Sequence, residues 1–106
     1  LPLEEVNEKL LGLVEQFEPH GLGNPRPVFL SRDCLVQQVR AVGSDGRHLK
    51  LTVGGKEAIA FDFGELAHEI VAGDVVDLVY SIDRDTWNGR NRMQLKVIDV
   101  KKSGLE

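Results

Sequence analysis

The chain has 106 residues, of which 42% are hydrophobic and 28% charged, a composition typical of one globular domain. No apolar run approaches the roughly 20 residues that cross a bilayer, and no basic-then-apolar start predicts a signal peptide. Cys34 is the single cysteine, which excludes an internal disulfide and fits a cytoplasmic protein. The formal net charge of −4 argues mildly against a nucleic-acid partner.

The distribution of charge is more informative than its sum. Residues 1–18 carry a net charge of −4 and residues 57–83 carry −7, whereas residues 19–56 carry +4 and residues 84–106 carry +3. Positive charge is therefore confined to two separated segments. Whether the two segments meet in space decides whether the molecule has a basic face.

The N-terminal part of the chain predicts a helix and then a connector. Apolar residues at spacings of three and four predict an amphipathic helix over residues 3–17. Residues 18–27 hold three of the four prolines and follow no period, which indicates a stiff, irregular connector. This connector leaves a helix and enters a strand, the reverse of a phosphate-binding loop, so its glycines and prolines are interpreted as shaping the backbone. The predicted apolar stripe of the helix comprises Leu3, Val6, Leu10, Leu13, Val14 and Phe17, with Leu11 off it.

The chain downstream of the connector predicts five strands. Residues 28–43 form one long bent strand or two, and residues 47–53, 56–63, 74–83 and 92–100 form the others. A short helix is predicted over residues 64–71. Five strands with a helix between the third and fourth is the order of an oligonucleotide/oligosaccharide-binding (OB) barrel, whereas a split sheet or an SH3-like barrel would have the strands alone. The predicted fold class is therefore all-β with minor helix: a five-stranded OB barrel preceded by an N-terminal amphipathic helix.

Three segments are expected along the chain. Residues 1–18 are predicted to be a helix and linker from a preceding domain, residues 19–102 the OB domain, and residues 103–106 a tail left by cloning. The apolar stripe of the first helix could also pair two copies into an artificial dimer.

The connector and several strands together carry a family resemblance. Residues 18–29, Glu-Pro-His-Gly-Leu-Gly-Asn-Pro-Arg-Pro-Val-Phe, resemble the segment that opens the C-terminal domain of RecJ-type single-stranded-DNA-specific exonucleases. Similar stretches follow at Val42-Gly43 with His48-Leu49-Lys50-Leu51, at Ala60-Phe61 with Gly64, and at Trp87-Asn88-Gly89 with Gln94-Leu95. The resemblance covers about residues 3–101.

The resemblance implies a function for the chain and for its parent protein. It implies an OB domain that holds single-stranded DNA for a neighbouring nuclease core of the DHH (Asp-His-His) type. In that family the core hydrolyses phosphodiesters from the 5′ end with a metal, Mn or Mg. No part of the DHH motif occurs in this chain, so the resemblance assigns it no catalytic residue, no cofactor and no metal ligand.

The basic segments supply the candidate DNA contacts. In an OB barrel the binding face is built from strands two and three with the loops after strands one and four. The two positive segments cover most of these elements, and a cationic groove is what phosphates require. The alternative is that these residues are solvated surface charges. The candidates for phosphate contact are Arg40, Arg47, Lys50, Arg84, Arg90, Arg92 and Lys96.

Aromatic rings provide a second kind of candidate contact. Trp87, the single tryptophan, lies in a polar loop, where it is predicted to stack on an unpaired base; alternatively it closes the barrel mouth or packs on another domain. His48 shares a strand face with Lys50 and could donate to a phosphate, stack on a base or simply be exposed. On the third strand, Phe61 faces the core if the bulky residues point inward, which is favoured, or becomes a stacking platform if the alanines do. Tyr80 and Cys34, each in an apolar pattern, are predicted to be buried.

No pattern predicts catalysis. The three histidines, His20, His48 and His68, are scattered, and no serine lies in a nucleophile-elbow context. The leading hypothesis is a module that binds single-stranded DNA with little sequence preference. The rival, which the net acidity favours, is a protein-interaction domain that braces the nuclease core or recruits a partner.

Overall fold

Five strands close into a barrel in the computed structural model, which describes residues 1–21, 23, 25–86 and 89–104. The strands lie in the order β1-β2-β3-β5-β4, and all neighbouring pairs are antiparallel except β3 and β5. A 3-10 helix over Gly64–His68 stands between β3 and β4, where a longer helix is predicted. The predicted five-stranded OB barrel is confirmed. The strands are β1 (Phe29–Val42), β2 (His48–Val53), β3 (Lys56–Ala60), β4 (Val75–Asp85) and β5 (Arg92–Lys102).

The first strand closes the barrel by pairing on both of its sides. The first half of β1 pairs with β4 and its second half with β2. Register shifts between Ser31 and Cys34 and between Val36 and Gln38 interrupt these ladders. Such bulges bend a strand and increase its twist. The sequence therefore forms one long bent strand here rather than two.

Alternate residues of the strands fill the barrel. On β2 the inward residues are the aliphatic ones, while His48 and Lys50 face outward. The ring of Tyr80 is fully buried, and its hydroxyl lies 2.7 Å from the Ser31 hydroxyl. Because Ser31 donates its own proton to the Leu1 carbonyl, the Tyr80 hydroxyl is the donor in this pair. The predictions that Tyr80 and Cys34 are buried are confirmed.

The favoured prediction for the third strand, in which the bulky residues point inward, is wrong. Ala58 and Ala60 are the residues of β3 that face the barrel interior, and both are fully buried. Ala58 lies between Leu51 of β2 and Leu95 of β5, so the larger neighbours fill the space and leave room for a small side chain. Phe61, which follows the strand, is 54% exposed. The second arrangement, in which the alanines point inward, is the one observed.

The N-terminal helix begins later than the apolar spacing predicts. Helix α1 spans Glu8–Glu15 and is preceded by a 3-10 turn over Leu3–Glu5. Asn7 caps α1 by accepting the backbone N–H of Leu10 at 3.0 Å. The turn and the cap interrupt the helical period, so residues before and after Asn7 do not continue one stripe. No helix in the described part of the chain is long and apolar enough to cross a membrane.

This change of phase alters which residues of α1 face the barrel. Leu11 is 1% exposed and packs into the core with Val6 and Val14. Leu13 and Phe17 remain 48% and 59% exposed. The predicted stripe, which included Leu13 and Phe17 and omitted Leu11, is therefore wrong for these three residues. The assignment of residues 1–18 to a preceding domain stays a prediction.

Candidate nucleic-acid interface

Three basic residues lie in one line across the outer surface of the barrel. Arg40 of β1 pairs with Lys50 of β2, Lys50 pairs with Ile59 of β3, and Ile59 pairs with Lys96 of β5. Lys50 and Lys96 each lie between two core residues, so their side chains point outward. Arg40 is the direct cross-strand partner of Lys50 and therefore lies on the same outer face. Because neighbouring strands are about 4.8 Å apart, the line extends for about 14 Å. Arg40, Lys50 and Lys96 are called the cationic row below.

The first two members of the cationic row repel each other. Arg40 and Lys50 are direct cross-strand partners, and like charges in such a pair destabilise a sheet. Among the residues that the structure describes, neither side chain forms an ion pair. An arrangement that lowers stability without local compensation is typical of a binding surface.

The third member of the row is held by an acid. The Lys96 ammonium lies 3.2 Å from the carboxylate of Asp83, which is also 3.6 Å from the Arg26 guanidinium. Burial raises the pKa of Asp83, but hydrogen bonds from the Arg84 backbone N–H and from Lys96, together with the charge of Arg26, lower it overall. Asp83 is therefore anionic near neutral pH. Lys96 keeps 45% of its side chain exposed and can still reach a ligand.

The other basic candidates differ in their surroundings. Arg47 is exposed in the loop between β1 and β2 and has no ion pair within the described ranges. Arg90 lies 3.9 Å from Asp85, and Arg92 lies 3.6 Å from Glu57. Both pairs are long and solvent-exposed on the arginine side, so they hold the guanidinium groups weakly.

Arg84 is placed apart from the cationic row. Its guanidinium donates to both carboxylate oxygens of Glu15, at 2.8 and 3.0 Å, and lies 2.9 Å from the carboxylate of Glu8. The hydrogen bond from Arg84 lowers the pKa of Glu15, and the reverse interaction raises the pKa of Arg84. Arg84 therefore ties α1 to the end of β4. Its predicted role in DNA binding stays a prediction, as does that of Trp87, which lies outside the described residues.

His48 and Phe61 form an aromatic pair beside the row. Their ring centroids are 5.1 Å apart and their planes meet at 78°, an edge-on contact. The Nδ1 atom of His48 accepts the backbone N–H of Asp62 at 2.9 Å, which places the proton of the neutral ring on Nε2. The opposite edge of the imidazole lies against Gly43, where a Cβ would come within 2.8 Å of Cδ2. The imidazole is thus fixed on two sides.

The described residues contain no group of three or more His, Cys, Asp or Glu side chains that could hold a metal ion. Cys34 is buried, and burial raises the pKa of its thiol to about 11. A thiol with such a pKa remains protonated near neutral pH and is a poor nucleophile.

Comparison with known proteins places this barrel in a family. The profile of the RecJ OB domain matches residues 1–99. The chain belongs to the RecJ OB domain family. The resemblance to RecJ that the sequence indicates is confirmed.

Two curated relatives carry the same name. The single-stranded-DNA-specific exonuclease RecJ of Bacillus subtilis is 27% identical over 105 residues, which cover 95% of this chain and 13% of that protein. The RecJ of Thermus thermophilus is 31% identical over 85 residues, which cover 80% of this chain and 12% of that protein. The chain therefore spans about an eighth of the length of these relatives.

Solved structures agree with this assignment. RecJ from Thermus thermophilus in complex with Mg²⁺ superposes with a TM-score of 0.64 and 26% identity, covering 90% of this chain and 16% of that one. The same protein in complex with Mn²⁺ gives a TM-score of 0.65 and 27% identity, covering 90% and 15%.

Proposed function

We propose that this chain binds single-stranded DNA through the outer face of β1, β2, β3 and β5. The observation that supports the proposal best is that Arg40 and Lys50 lie directly opposite each other and form no ion pair with an acid among the described residues. A phosphate bound between these two like charges would replace their repulsion with two attractions. Lys96 extends the cationic row to β5, and Arg47 adds positive charge just before β2. Phosphates neutralised by such residues release their counterions, which makes binding strong at low salt and weak at high salt.

Binding of this kind carries little sequence information. Lysine and arginine side chains that contact phosphates fix the path of the strand without contacting base edges. The predicted absence of strong sequence preference follows from this chemistry.

For the parent protein we propose metal-dependent hydrolysis of single-stranded DNA from the 5′ end, in the cytoplasm, with Mn²⁺ or Mg²⁺ as the metal. The names of the two curated relatives support an exonuclease specific for single-stranded DNA, and the metals in the solved structures support the choice of metal. The 5′ direction and the cytoplasm are what the family resemblance implies. In such an enzyme this chain would bind the DNA substrate, and a DHH-type nuclease core would contribute the catalytic residues.

Fluorescence anisotropy with a labelled oligo-thymidine tests the binding function. Arg40→Gln and Lys50→Gln should each weaken binding at low salt and reduce the slope of log K against log salt by about 0.7. Lys9→Gln on α1, an exposed lysine on another face, is the matched control and should leave both quantities unchanged. Equal effects from Lys9→Gln and Lys50→Gln would mean that net charge, and not the cationic row, governs binding.

Docking on the nuclease core is a second candidate function. The exposure of Leu13 on α1 and of Phe17 just after the helix favours it, since large apolar side chains that face solvent are typical of interaction sites. The separately purified nuclease core should then bind the wild-type chain at high salt and lose affinity for the Leu13→Ser variant. Equal binding of both chains would argue against this role. A dimer through α1 stays a prediction that sedimentation at several concentrations would check.

A further inference from the structure

Phe61 is a large apolar side chain that the fold presents to solvent. Side chains alternate between the two faces of β3, and Ala58 and Ala60 point inward. Phe61, the next residue, therefore lies outside the barrel, and 54% of its surface is exposed. Asp62 follows with a φ of +66°, which turns the backbone away immediately after the ring. Exposing a phenyl group forgoes the stabilisation that its burial would supply, about 1.5–3 kcal/mol. The position therefore favours a role in binding over a role in the core.

The ring is held in place rather than free to rotate into the barrel. His48 contacts it edge-on, and the imidazole itself is fixed by the Asp62 backbone N–H and by the close approach of Gly43. His48 can cover one face of the phenyl ring at most. The pair thus presents a flat aromatic surface whose orientation is set before any ligand arrives, and such preorganisation reduces the entropy cost of binding.

The charges around the ring indicate which ligand it would take. Arg47 directly precedes His48 in the chain and is exposed without an ion pair among the described residues. Lys50 lies two residues after His48 on the same outer face of β2. A ligand seated on Phe61 therefore meets cations on the side of the cationic row. A flat apolar group joined to an anionic backbone satisfies both features, and an unpaired nucleobase with its phosphates is such a group.

We propose that Phe61, oriented by His48, is a stacking site for one unpaired base of single-stranded DNA. This inference rests on the proposed DNA-binding function and adds a base contact to its phosphate contacts. Stacking on a phenyl ring uses the π-face that every base possesses, so the site tolerates any base. It also distinguishes unpaired strands from duplexes, in which neighbouring bases already cover the faces.

The test compares ordinary and abasic DNA on the same variants. Anisotropy titrations would use an oligo-thymidine and an oligonucleotide of equal length whose sugars carry no bases. Phe61→Ala should weaken binding of oligo-thymidine about five-fold or more, the effect of losing one stacked base. The same variant should bind the abasic strand as tightly as the wild-type chain does. Phe61→Trp should retain oligo-thymidine binding, and the salt slope should not change in either variant.

Phe17→Ala is the matched control, because Phe17 is a phenylalanine of similar exposure that follows α1. It should leave both affinities unchanged. If Phe61→Ala binds oligo-thymidine like the wild type while Lys50→Gln binds it less, the stacking site is wrong and the binding function stands. Equal losses on ordinary and abasic strands would also overturn stacking, since they would show that Phe61 only supports the fold. Failure of the wild-type chain to bind either strand at low salt would refute the proposed function itself.

Discussion

Replacing Gly64 with alanine should destabilise the barrel and displace the loop that carries Arg47. Gly64 is buried at the start of the 3-10 helix, and its N–H donates to the Arg47 carbonyl at 2.9 Å. A Cβ at this position would overlap the Gly46 carbonyl oxygen and lie 2.7 Å from the Arg47 carbonyl carbon, where ordinary contact begins at 3.4 Å. These are backbone atoms, so no side-chain rotation relieves the overlap.

The magnitude follows from two contributions. Forcing extra volume into a packed site costs about 1–3 kcal/mol, and losing the backbone hydrogen bond costs about 1 kcal/mol. The sum is about 2–4 kcal/mol, which for a domain of this size lowers the melting temperature by about 10 °C or more. Thermal unfolding followed by circular dichroism measures the change, and oligo-thymidine affinity should fall as well because Arg47 moves.

Gly12→Ala is the control variant, and it should raise the stability of the chain rather than lower it. Nothing lies within 4 Å of a Cβ built at Gly12, which is inside α1. Alanine there should raise stability by about 0.5–1 kcal/mol, because glycine loses more backbone entropy when a helix forms. A Gly64→Ala variant that melts at the wild-type temperature would refute the packing of the loop against the 3-10 helix.

Three further predictions concern charged and ionisable groups. Arg84→Lys should lower the melting temperature and leave the slope of log K against log salt unchanged, because the guanidinium donates to both carboxylate oxygens of Glu15. A slope reduced by about 0.7 with an unchanged melting temperature would instead indicate a phosphate contact. Asp83→Asn should raise oligo-thymidine affinity about two-fold or more by releasing Lys96, and an unchanged affinity would remove Lys96 from the interface. Cys34 should resist thiol reagents at pH 8 until the chain unfolds, and rapid native labelling would contradict its burial. Because burial raises its pKa from 9.0 to about 11, the unfolded thiol ionises first, so stability should be full below pH 9 and decline between pH 9 and 11.

The sequence was sufficient to predict the five strands, except that β3 ends at Ala60 and not at residue 63. Alternation on β2 and the turn residues between strands are local signals, and the structure reproduces both. Arg40 and Lys50 could be named as candidates because they lie on predicted strands. Their direct opposition could not be predicted, because it depends on the register shift between Val36 and Gln38 of β1.

Three features of the structure depend on contacts that the sequence patterns do not show. The orientation of Phe61 depends on the leucines that flank Ala58 from two other strands, and alternation alone leaves both faces possible. The engagement of Arg84 depends on acids of α1 that lie 69 and 76 residues away in the chain. The phase of α1 depends on the Asn7 cap, which a stripe of apolar residues does not reveal. The first two features depend on contacts between distant segments, whereas the Asn7 cap is a local contact.

Amide chemical shifts during a titration with oligo-thymidine would report directly where on the barrel the DNA lies. If DNA binds along the cationic row, the largest shifts at low salt occur at Arg40, Lys50, Ile59 and Lys96, and they diminish as salt is added. Shifts confined to α1 and to the 3-10 helix over Gly64–His68, or no shifts at all, would contradict DNA binding at the cationic row.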